Sequence, residues 1–80
     1  MYTFENLRQD LSMNREVEFK YEGNWYSITF SKEGWFFKKF NDIDGAIPFK
    51  DETEIEYISI NDRSLKEIFN NNEYEEMILY

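Results

Sequence analysis

Hydrophobic and polar positions alternate with period two across residues 16–40, EVEFKYEGNWYSITFSKEGWFFKKF, and the rest of the chain is organised around that stretch. Val17, Phe19 and Tyr21 share one parity while Glu16, Glu18 and Lys20 share the other, the pattern of a strand wetted on one face. Tyr26, Ile28 and Phe30 repeat the alternation against Trp25, Ser27 and Thr29. Glu22-Gly23-Asn24 and Ser31-Lys32-Glu33-Gly34 supply turn chemistry at the right intervals, which predicts a three-stranded antiparallel meander. The third strand, Trp35 to Phe40, carries aromatic residues at both parities, so its second face is expected to lie under helices or under a partner.

The period changes on either side of the meander. Phe4, Leu7 and Leu11 fall on one helical face, and Thr3 stands at the N-cap position, so a helix is expected over 3–13 with Asn14 closing it. Residues 41–50 read as a loop, because Asp44-Gly45 is a turn signal and Pro48 cannot sit in a central strand. For 51–60 a short helix with acids in its first turn, running into an extended Ile58-Ser59-Ile60, is preferred to an alternating strand. Ser64 and Glu67 form a capping box ahead of Leu65, Ile68 and Phe69, and Asn70-Asn71-Asn72 end that helix. Tyr74 to Tyr80 returns as a strand or docks as an apolar tail. The expectation is one α+β domain over 1–80, a small antiparallel sheet with two or three short helices packed on one face.

Composition narrows the chemistry. There is no cysteine, so disulfides, thiolate metal sites and cysteine nucleophiles are excluded and a cytoplasmic setting is favoured. Sixteen aromatic residues in eighty are what a short, unstapled domain needs to build a core. The opening MYTFENLRQD has neither a basic nor an apolar leader run, and no window approaches a membrane span. With no histidine and no serine in a nucleophile-elbow setting, the chain is expected not to be an enzyme. Asp42-Ile43-Asp44-Gly45 has the look of a calcium loop, but that alignment puts Phe40 at the first ligand position and Asp51 at the twelfth. No metal and no cofactor are expected.

Charge is the uneven feature. Residues 1–40 carry six bases and six acids, whereas residues 41–80 hold eleven acids against Lys50, Arg63 and Lys66, so the whole net charge of −8 lies in the second half. One cluster comprises Asp42, Asp44, Asp51, Glu52, Glu54 and Glu56, and another Glu73, Glu75 and Glu76. Such a field repels nucleic acid and anionic membrane and speeds encounter with a basic protein surface. The lysines and aromatics of the meander read as a core with snorkelling lysine stems rather than as a stacking platform for bases. The two acidic clusters are therefore the candidate partner-binding residues, with Trp25 and Trp35 as candidate aromatic anchors. The alternative is a homo-oligomer, a homodimer for instance, joined through the third strand or through Met77 to Tyr80.

A single alanine beside eight asparagines and eight isoleucines points to an AT-rich coding sequence, as in a low-GC bacterium or its phages. The order of short helix, EVEFKYEGNWYSITF, glycine turn, WFFKKF and finally SLKEIF resembles small proteins of Firmicutes prophages and other mobile elements. That resemblance implies an inhibitor of host defence, of the anti-CRISPR kind, acting by occupying the basic nucleic-acid channel of an effector nuclease.

Overall fold

The computed structural model describes residues 1–42 and 45–80. Helix α1 runs Phe4–Ser12, and strands β1 (Val17–Tyr21), β2 (Asn24–Ser31) and β3 (Gly34–Lys39) follow as the antiparallel meander. A short strand β4 (Ile47–Phe49) pairs with β3, and β7 (Glu76–Leu79) pairs with β1. Between them lie a 3₁₀ turn (Ile55–Tyr57), a two-residue hairpin of β5 (Ser59–Ile60) and β6 (Arg63–Ser64), and helix α2 (Leu65–Asn70). The main sheet is five-stranded and antiparallel throughout, in the order β4-β3-β2-β1-β7.

Cross-strand register explains the burial. Val17 stands opposite Ile28 and Leu79, Phe19 opposite Tyr26 and Met77, Ile28 opposite Phe37, and Trp35 opposite Phe49. All of these lie on one face of the sheet, and that face is roofed by Phe4, Leu7 and Leu11 of α1 and Leu65, Ile68 and Phe69 of α2. Phe19 is at the centre: its ring lies 5.5 Å from Tyr26, 6.3 Å from Phe37 and 5.1 Å edge-on from Phe69. Aromatic pairs at these separations add to the area they bury, so a core this small gains from being built of rings.

The turns are made by local chemistry. Glu22 (φ 50°) and Gly23 (φ 80°) both take the left-handed conformation, the two-residue hairpin geometry that matches strand twist. Asn61 (φ 49°) and Asp62 (φ 68°) do the same between β5 and β6. Both helices carry complete capping boxes, Thr3 with Asn6 and Ser64 with Glu67. In the second, the Glu67 N–H donates to Ser64 Oγ and the Ser64 N–H donates to Glu67 Oε1, each at 3.1 Å. Helix α2 has only six residues and cannot hold itself together, so Ser64→Ala is expected to lower stability by about 1 kcal/mol, read as a shift of the urea midpoint at unchanged slope.

Several expectations need correcting. The stretch read as a loop over 41–50 contains β4, and Pro48 is accommodated because β4 is an edge strand. The Asp44 of the expected Asp-Gly turn lies outside the described residues. The preferred short helix over 51–60 is a bend followed by a single 3₁₀ turn, after which Ser59 and Ile60 are extended as expected. The sheet has five strands rather than three or four. The second face of β3 is not covered by helices, since both pack on the other side.

Candidate functional site

The two acidic clusters are placed at opposite edges of the sheet. Asp51 to Glu56 follow β4 directly, whereas Glu73 and Glu75 lead into β7, which begins at Glu76. Three strands separate the two edges, so the clusters do not combine into one surface.

The β7 cluster is largely occupied within the chain. The Glu73 carboxylate pairs with the Arg63 guanidinium through both Nε and Nη2. Arg63 also reaches Glu67 at 3.0 Å. The Gly23 N–H donates to Glu75 Oε1 at 2.9 Å, and Lys20 Nζ lies 3.9 Å from Glu75 and 3.8 Å from Glu76. Glu75 ties the chain after α2 to the β1–β2 turn, and Glu73 ties it to β6. Contacts with Arg63 hold Glu73 below the usual carboxylate range, and the Ser64 amide and hydroxyl do the same for Glu67.

The β4 cluster is different. The Lys50 N–H donates to Glu54 Oε1 at 2.5 Å, and the Thr53 hydroxyl and N–H donate to Asp51 Oδ1 at 2.5 and 2.9 Å. These bonds shape the bend and lower the pKa of Asp51. No cation lies within 4 Å of Asp42, Asp51, Glu52, Glu54 or Glu56 among the described residues. Asp42 is exposed just beyond β3. Asp44 lies outside the described residues.

Inside this acidic segment stands Tyr57, 80 % exposed. Ile55 and Ile58 point into the core from either side of it, and that three-residue spacing turns Tyr57 outward. It borders a shallow groove of about 220 Å³ lined by Ile47, Pro48, Phe49, Glu54, Tyr57 and Ile58. The site is an apolar and aromatic floor with the Glu54 carboxylate at its rim, while Glu52 faces α1 beside Arg8. Tyr57 escaped the sequence reading, although a lone aromatic flanked by Ile55 and Ile58 within a run of acids was a signal for it.

The anchors divide. Trp35 is only 4 % exposed and stacks on Phe49 at 5.9 Å, so it belongs to the core and offers nothing to a partner. Trp25 lies on the opposite, unroofed face, half-buried, with Lys20 beside it and Phe36 and Lys38 on the neighbouring strand. The reading of the meander aromatics as core therefore fails for Trp25 and Phe36, which are half-buried on the open face, and for Phe30 and Phe40, which are exposed. That face carries Glu16, Glu18 and Glu76 with Lys20 and Lys38, so it offers no positive field for phosphate.

Among the described residues no group of three or more acids, histidines or cysteines is placed to hold a metal ion, and no helix is long and apolar enough to cross a membrane. Acid should loosen the domain. Glu67, Glu73 and Asp51 have folded-state pKa values below their unfolded ones, so their contribution is present above the ordinary carboxylate range and is lost as pH falls through it. The urea midpoint is expected to be flat above about pH 5 and to drop below about pH 4, and Arg63→Gln should make that drop shallower. No family model, curated protein or solved structure matches this chain.

Proposed function

We propose that this protein is a non-catalytic binding module that docks the β4 edge onto a basic protein surface. The observation that supports this most strongly is Tyr57, an 80 % exposed aromatic that lines one groove with Ile47, Pro48 and Glu54 and follows Glu56 in the chain. A central aromatic anchor within a polar rim is the anatomy of an interaction hot spot. Acids that make no ion pair among the described residues can meet Arg and Lys, to which carboxylates bind much as phosphates do. The partner is a nucleic-acid-handling protein whose basic channel the module occupies. The resemblance to prophage proteins makes a defence nuclease, such as a CRISPR effector, the class to examine first, with inhibition as the outcome.

Capture from a low-GC bacterial lysate tests this when the wild-type chain is run beside Glu52→Lys/Glu54→Lys/Glu56→Lys. The expected result is nucleic-acid-handling proteins on the wild-type resin, released by raised salt and missing from the variant resin. Identical sets on both resins would contradict the proposal.

A further inference from the structure

The two edges of the sheet are not equally protected. The β4 edge is three residues long, contains Pro48, which has no N–H to offer, and is followed at once by the 50–57 bend. Short strands and prolines are how sheets blunt an edge against further pairing. The β7 edge is also short but less blunted: Glu76-Met77-Ile78-Leu79 contains no proline and no lysine, and among the described residues β1 is its only strand neighbour. Ile78 is 43 % exposed and Tyr80 is 58 % exposed, while Met77 and Leu79 pack against the rim of the core.

We propose that β7 pairs antiparallel with β7 of a second copy of this chain, joining two five-stranded sheets edge to edge. The hydrogen-bond alternation selects the register. The Tyr80 N–H donates inward to the Glu16 carbonyl at 2.9 Å, so residues of the same parity face β1, and Met77 and Leu79 turn their N–H and C=O groups outward. Pairing Met77 of each copy with Leu79 of the other satisfies those groups with four backbone hydrogen bonds. The same register sets Ile78 opposite its own counterpart and Glu76 opposite Tyr80, so no two carboxylates face each other directly.

Side chains agree with this. Met77 and Leu79 of both copies extend the apolar row that contains Val17 and Phe19, and the two Ile78 side chains cover each other on the open face. Glu76, the acid nearest the seam, lies 3.8 Å from Lys20 Nζ, which offsets its charge locally. The remaining repulsion comes from the net charge of −8 on each copy, which salt screens. Self-association therefore strengthens with salt, opposite to docking on a basic partner, and the two behaviours separate without ambiguity. The surface is independent of the β4 groove, so a dimer leaves that groove open.

The chain has no cysteine, so a single introduced one reports proximity directly. Directly opposed residues in a pair that exchanges no backbone hydrogen bonds have Cα atoms about 4.5 Å apart, within the range a disulfide spans. Ile78→Cys is expected to give a covalent dimer under mild oxidation, while Ile47→Cys at the other edge and Ser59→Cys on the small hairpin stay monomeric. Sedimentation of the unmodified chain at rising concentration should show a dimer that grows between 50 and 500 mM salt and disappears in Ile78→Lys. A covalent dimer no faster to form at 78 than at the control positions, or an unmodified chain that stays monomeric at every concentration and salt, would overturn the proposal.

Discussion

Phe19→Ala is expected to be the most damaging single change to the fold, lowering the urea midpoint more than any other truncation. The ring is fully buried and touches Tyr26, Phe37 and Phe69, so its loss opens a cavity among three other rings that cannot close it without breaking the sheet register or lifting α2. Phe-to-Ala changes in such sites cost about 3–5 kcal/mol. A domain of this length has a total stability of roughly 4–12 kcal/mol, so the loss takes a large share of it. Phe30, half-exposed at the end of β2, is the internal control, and Phe30→Ala should cost less than about 1 kcal/mol. Urea unfolding followed by near-ultraviolet circular dichroism compares the two, and equal losses would mean that the core is not centred on Phe19.

Tyr57→Ala should weaken binding to the basic partner by about 30-fold or more while leaving the urea midpoint in place. Hot-spot truncations cost about 2 kcal/mol or more, and a side chain this exposed contributes almost nothing to the fold. Calorimetry with the captured partner measures the first effect and urea unfolding the second. Trp25→Ala supplies the contrast. If the groove is the docking site, removing the half-buried tryptophan of the open face leaves affinity within a few-fold of wild type; if Trp25→Ala is the damaging change, the open sheet face is the interface instead.

The fold was legible where side-chain pattern alone decides structure. Alternation through Val17, Phe19 and Tyr21 and the spacing of Phe4, Leu7 and Leu11 report burial directly, and both caps were written in Thr3 and Ser64. Strand β4 was not legible, because three residues that include Pro48 become a strand only by pairing with β3. The β5–β6 hairpin was hidden for a related reason: its two-residue turn is Asn61-Asp62 rather than a glycine pair, although both residues tolerate positive φ.

The candidate site was legible as charge but not as geometry. Sequence counts acids without showing which are spent. Glu73 meets Arg63 from the other end of α2, and Glu75 reaches Gly23 and Lys20, contacts that exist only once β7 lies beside β1. The tryptophans show how finely placement depends on register. Trp25 and Trp35 occupy opposite parities of paired strands, so one faces the open side and the other the core.

Docking through the β4 edge is a different behaviour from attraction by acidity in general. Chemical-shift mapping of the isotopically labelled protein titrated with a lysine- and arginine-rich peptide tests that directly. The predicted result is a compact set of perturbed amides at Ile47, Phe49 and residues 50–58 that weakens with salt and is lost in Tyr57→Ala, with Glu73, Glu75 and Glu76 little changed. Perturbations spread over both edges in proportion to charge, or centred on β7, would contradict it.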